Sequence, residues 1–234
     1  MKRFLALLAL TCSLCTASAQ TDPQVLMDQL LGSFENATLP SVPTFKVKDQ
    51  TVGSQYLYES WVPGTLTGVD GKSYSEGYLF NFNKMTQHVY VRLKDAPQAF
   101  LINKTMVGSV DFNDGLRKTH FEKVKTLDSN QLYQVLAKGS KHTLYSFTTT
   151  KFTASNYFTN GVSSSGNMYD EYKDESVYYV QYADGHTRQM PLKRKVVKAM
   201  FEEEKEKVAQ FFKQNDNAEH PFDVKLVAEL VNSL

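Results

Sequence analysis

Trp61-Val62-Pro63-Gly64-Thr65-Leu66-Thr67-Gly68-Val69-Asp70-Gly71-Lys72-Ser73-Tyr74, continuing to Phe82, reads as two strands joined by a tight turn. Asp70-Gly71 favours a type I′ turn, because both central residues of that turn need positive φ. The return strand, Tyr74 to Phe82, alternates Tyr78, Phe80 and Phe82 with Leu79 and Asn81. Period-two alternation gives a strand two distinct faces. Going toward the C-terminus, a turn at Asn83-Lys84 leads to Gln87–Leu93, whose Val89, Val91 and Leu93 share one face. Asp95-Ala96-Pro97 breaks the pattern and Ala99–Ile102 resumes it. Further strands are predicted near 106–112, 119–125, 131–137 and 141–150, with Lys138-Gly139 between the last two. Residues 176–183 and 186–190 flank a final turn at Asp184-Gly185. Strands joined by such short turns predict an antiparallel meander over residues 44–191, as a curled sheet or an open barrel. The 13 Tyr and 15 Phe suit it.

Residues 153–168, rich in Ser, Thr, Asn and Gly, read as an exposed loop, with the exposed span reaching 174. After Pro191 the period becomes helical. Val197, Phe201, Val208 and Phe212 form one stripe over 192–214, and Glu202–Glu204 interrupts it as a second helix start after a bend would. A last helix is expected from Phe222 to Leu230 or beyond, after Pro221. The segment 192–234 is thus predicted to pack on the β domain. At the other end, Asp22 and Pro23 suit an N-cap and first helical position for a short helix over 23–34, followed by a linker to Pro43. The predicted class is α+β.

Residues 1–19 carry an address. Lys2 and Arg3 precede the apolar run Phe4–Leu10, and Ala17-Ser18-Ala19 ends the segment as a cleavage site does. This is the pattern of a secretory signal peptide, too short to span a bilayer. Cleavage before Gln20 leaves about 215 residues, one domain's worth. Cys12 and Cys15 both fall in the leader, so the mature chain has no disulfide or thiolate metal site. Lipidation at Cys15 is the rival reading, and Cys12-Ser13-Leu14 fits it poorly because small residues are expected there. Loss of Lys2 and Arg3 turns the net charge from +1 to −1. That balance gives no global attraction to nucleic acid, and no later segment is long and apolar enough to cross a membrane.

Several landmarks act together: Trp61-Val62-Pro63-Gly64, Asp70-Gly71, Tyr78–Phe82, Leu132–Leu136 before Lys138-Gly139, Leu144, Tyr178-Tyr179-Val180, Gly185 and Leu192–Lys195. With the two C-terminal helices they resemble a family of secreted β-rich proteins of Gram-negative bacteria with a C-terminal helical tail. The likeness covers roughly 57–234, and the loop around 153–168 looks like an insertion. The resemblance implies an envelope or secreted location, periplasmic or extracellular. It implies no reaction.

Chemical signatures are sparse. Five histidines, at 88, 120, 142, 186 and 220, show no zinc-binding spacing, and no metal or other cofactor is expected. Asp111-Phe112-Asn113-Asp114-Gly115 resembles the start of a calcium loop and has Glu122 at the twelfth position. Its glycine comes fifth rather than sixth, and no helices flank it, so it reads as a turn between strands. Gly161-Val162-Ser163-Ser164-Ser165-Gly166 has the second glycine one place late for a nucleophile elbow. Asp170, Glu171, Asp174 and Glu175 form an acidic flank that reads as solvated. Lys193, Arg194, Lys195 and Lys198 form a basic cluster, and with Trp61 they are the candidate interaction surface, for lipid headgroups, a glycan or an acidic partner protein. The strand aromatics suit core packing, an outward sugar platform or an inward apolar cavity. The expected function is an exported, non-catalytic envelope or secreted module that binds a partner protein or an envelope component. The alternatives are a carrier of a small apolar ligand within the curled sheet, and an enzyme whose site assembles from distant strands.

Overall fold

The computed structural model describes residues 51–215 and 222–234. The expected signal peptide, N-terminal helix and linker lie outside the described residues. In chain order the strands are β1 (Thr51–Val52), β2 (Gly64–Gly68), β3 (Ser73–Tyr74), β4 (Tyr78–Asn83), β5 (His88–Leu93), β6 (Ala99–Leu101) and β7 (Val107–Asn113). They continue as β8 (Lys118–Glu122), β9 (Tyr133–Lys138), β10 (Thr143–Thr153), β11 (Phe158–Thr159), β12 (Ser164–Ser165), β13 (Asp170–Gln181) and β14 (Thr187–Gln189). The helices among the described residues are α1 (Arg194–Met200), α2 (Lys205–Asn215) and α3 (Val224–Ser233), with a 3-10 turn at Glu202–Glu204 after α1.

The main sheet runs β1-β13-β10-β9-β8-β7-β2-β3. β14 shares the outer edge of β13 with β1, at opposite ends: β1 pairs with Asp170 and Glu171, β14 with Tyr179–Gln181. The β1–β13 pairing is parallel and the others are antiparallel. The path stays open rather than closing into a barrel among the described residues. β4, β5 and β6 make a separate antiparallel sheet.

The chain does turn at Asp70-Gly71, but not as the expected type I′ turn, because only Gly71 takes positive φ, at +82°, and Asp70 does not; its strands are also shorter than the sequence suggests. β3 pairs with β2 only over Ser73–Tyr74. Gly77, at φ +81°, then redirects the chain into β4 of the other sheet. The leading strand is split as well. Val62 exchanges two backbone hydrogen bonds with Phe80 in the three-stranded sheet, whereas Gly64 already faces Phe112 in the main sheet. The chain changes sheets at Pro63, whose carbonyl accepts from Asn113 N. A β-carbon on Gly64 would lie 2.2 Å from the Asp111 carbonyl oxygen, so this crossing needs glycine.

Two cores lie along the main sheet. Leu66, Val110, Phe112 and Phe121 pack against Phe80, Phe82 and Val91 of the three-stranded sheet. Farther along, Leu144, Val180 and Met190 pack against Val197, Phe201, Val208 and Leu230 of the helices. Alternation sends Tyr133, Tyr145, Phe147 and Tyr179 to a smaller cluster with Val124. The helical stripe 192–214 is two helices, and the bend falls at Phe201–Glu204, where the acidic cluster interrupted the pattern. Asp223 caps α3 by accepting from Leu226 N. α3 is fastened to the β9–β10 turn by Lys138 N to Asn232 Oδ1 and Ser140 Oγ to the Leu234 carbonyl.

The expected loop over 153–174 needs correcting. β13 begins at Asp170, and β10 and β13 stay in register out to Thr153↔Glu171. β11 and β12 form a small hairpin at the tip. Its charged flank, Asp170 to Glu175, looked like loop because neither face of this strand segment is apolar.

Candidate functional site

Two surfaces stand out. The first is a cleft of about 600 Å³, with Glu122, Tyr145 and Gln181 among the residues that line it. The hairpin register of β7 and β8 sets Asp111 opposite His120, and residues two apart on a strand share a face, so Glu122 lies beside His120. His120 Nδ1 lies 2.7 Å from Asp111 Oδ1 and Nε2 lies 3.3 Å from Glu122 Oε2. Tyr145 Oη donates to Glu122 Oε1 at 2.7 Å and reaches Gln181 Oε1 at 3.4 Å. Tyr145 lies on this face because it pairs with Val135, which in turn pairs with His120.

The hydrogen bond to Glu122, then that to Asp111, raises the His120 pKa above its ordinary value against the opposing effect of burial. The His120 hydrogen bond and then that from Tyr145 lower Glu122 despite its burial. Burial first and then Glu122 push the Tyr145 phenol up. A doubly protonated imidazole satisfies both carboxylates, which leaves His120 without a lone pair for general-base work. The arrangement fixes the Glu122 carboxylate in its ionised form and in one orientation.

The second surface is the arm made by the far halves of β10 and β13 with β11 and β12. From Phe152 to Tyr169 it runs eighteen residues without one charged side chain, in a chain that is 22% charged. Val162, at its apex, is 96% exposed and Phe158 is 65% exposed; Tyr157, Met168 and Tyr169 are exposed as well. Side chain–backbone bonds hold it in shape. Asn160 Oδ1 accepts from Val162 N and Ser163 N. Asn156 Oδ1 accepts from Asn167 N at 2.7 Å, and Ser155 N donates to Asp170 Oδ1. At its base the Phe152 and Tyr172 rings lie 4.9 Å apart, and Lys84 pairs with Asp174 at 2.6 Å.

The residues singled out from sequence fall elsewhere. Trp61 is half-buried, with the Arg92 guanidinium 5.5 Å from its ring centre. Arg194 lies over Phe222 at 5.3 Å and Lys198 over Phe212 at 5.2 Å, so two of the basic residues pack on the helices' own rings. Lys193 and Lys195 are exposed. Trp61 belongs beside the three-stranded sheet and the four basic residues to the first helix. Asp114 caps the β7–β8 turn, accepting from Leu116 N and Arg117 N. His142 is buried between Tyr182 and Phe201, with Nε2 3.5 Å from Glu204 Oε1. Sequence reasoning missed the Asp111–His120–Glu122 group, although counting outward from the turn at Asp114–Arg117 pairs the first two. Comparison with protein-family models, with curated proteins and with solved structures finds no match to this chain.

Proposed function

We propose that this chain is an exported, non-catalytic module that binds a partner protein through the arm at 152–169. The observation that carries this reading is the charge-free, preorganised arm with its apolar side chains turned to solvent. Tyr, Ser, Gly and Asn make up most of it, a composition that antibody loops use for protein recognition: rigid aromatic area with adaptable hydrogen-bonding groups. Holding such a loop in one shape before binding lowers the ordering cost of association. A bilayer suits the arm less well. Its base mixes Asp170, Glu171, Asp174 and Glu175 with Lys84, Lys151 and Lys173, which is no basic collar for anionic lipid. The carrier reading has less support, because Leu66, Phe80, Val91, Val110 and Leu144 are completely buried and packed in clusters with other apolar side chains. The enzyme reading has less support, because both ring nitrogens of His120 are engaged.

The test is photocrosslinking in cells that export the protein, with the photoreactive group at Val162 or, as a control, at Leu116. Leu116 is 97% exposed and sits in the β7–β8 turn. A discrete protein-sized adduct from position 162 alone, lost on adding Phe158→Asp, is expected. Equal adducts from both positions, or none from 162, refute the reading. Export itself predicts that the mass of the recovered protein corresponds to a start at Gln20.

A further inference from the structure

The arm leaves the cleft without a role, and the cleft has chemistry of its own. Glu122 lines it, with its carboxylate already held at one oxygen by Tyr145 and at the other by His120. Each oxygen keeps a lone pair, so two acceptors lie side by side in a fixed orientation. Vicinal hydroxyl groups match such a pair. Gln181, also in the lining, adds a neutral amide.

The charged residues of the lining set the ligand's charge. Lys123, Lys125, Glu122 and Asp184 all line the cleft. Two basic and two acidic residues balance in formal charge, which favours neither an anion nor a cation. Lys123 Nζ donates to the Thr105 carbonyl and is held in place. The hydroxyl of Thr126, another lining residue, meets that of Thr187. His186, also in the lining, is exposed and stacks on Tyr182 with ring centres 4.3 Å apart and planes within 10°. A flat aromatic pair beside fixed polar groups suits a ring with one C–H face and equatorial hydroxyls. The volume, about 600 Å³, falls within the range of ~300–1,000 Å³ usual for small-ligand sites.

We infer that this cleft binds an uncharged, hydroxyl-rich ligand of glycan type, one or two sugar rings long, with Glu122 accepting from vicinal hydroxyls. The site is independent of the arm and stands whether or not the arm binds protein.

Saturation-transfer NMR on the purified protein tests this, with chitobiose, maltose and lactose as probes. Saturable transfer to at least one of the three is expected. Binding should weaken at least tenfold in Glu122→Gln and fivefold in Asp184→Asn, and stay unchanged in Leu116→Ser. Asp184 is largely exposed, so its variant reports even where Glu122→Gln fails to fold. No saturable transfer from any probe overturns the assignment. So does wild-type affinity in the Asp184 variant, or displacement of the sugar by inorganic phosphate, which would mark an anion site.

Discussion

β10 and β13 pair for eleven consecutive residues without a break in register, yet their two ends are different materials. Near the body, Leu144 and Val180 are completely buried under the helices, and Tyr145 packs with Tyr133 on the opposite face. Beyond Thr150 the same ladder carries Lys151, Phe152 and Thr153 in the open. The hydrogen bonds are alike. What changes is the apolar area removed from water, worth roughly 25 cal/mol per Å², whereas each hydrogen bond nets only about 1 kcal/mol. A sheet can therefore project a shaped arm from a body that supplies nearly all of the stability.

Substitutions along this pair should separate the two ends. Leu144→Ala removes a completely buried side chain and should cost about 2–5 kcal/mol, read as a lower urea midpoint. Gly139→Ala tests the fastening of α3. Its β-carbon would lie 2.1 Å from the Val231 carbonyl oxygen, so the helix must move, at about 1–3 kcal/mol by the same measurement. Unchanged stability would show that α3 is not seated on that turn.

His120→Gln should have a smaller effect that depends on pH. The raised His120 pKa stabilises the fold fully below the ordinary value of 6.5 and loses that contribution as pH rises through the folded-state value. The lowered Glu122 pKa contributes above its ordinary 4.5 and loses it as pH falls through the folded value. The gap between wild type and variant should thus peak between pH 4.5 and 6.5 and shrink above it. Partial exposure keeps it under about 1 kcal/mol. A gap that grows toward pH 9 would contradict the two-carboxylate geometry. Phe158→Asp, on the exposed arm, should change stability by no more than about 0.5 kcal/mol while abolishing the crosslink from position 162.

Turn chemistry was the most legible part of the sequence. Asp70-Gly71 and Asp184-Gly185 fall at turns whose glycines take positive φ, and Glu202–Glu204 marks the helix bend. The switch at Pro63 was not legible. Val62 and Leu66 look like one strand, and only contacts with two different sheets divide them. The start of β13 was hidden because its outer half buries nothing, which removes the periodic signal. Part of the group around Glu122 could be reached by counting: Asp111 and His120 are symmetric about a turn. Tyr145 joins it through the pairing of β10 with β9 and of β9 with β8, a long-range register that no local pattern encodes.

The outer edge of β13 has a further consequence. β1 and β14 cover its ends, and among the described residues the stretch between them carries Lys173, Asp174 and Glu175 in succession. Charged side chains along an open edge discourage a second molecule from adding itself there strand to strand, because they resist being packed against another sheet. That run of charge keeps an open-ended sheet from growing into a fibril.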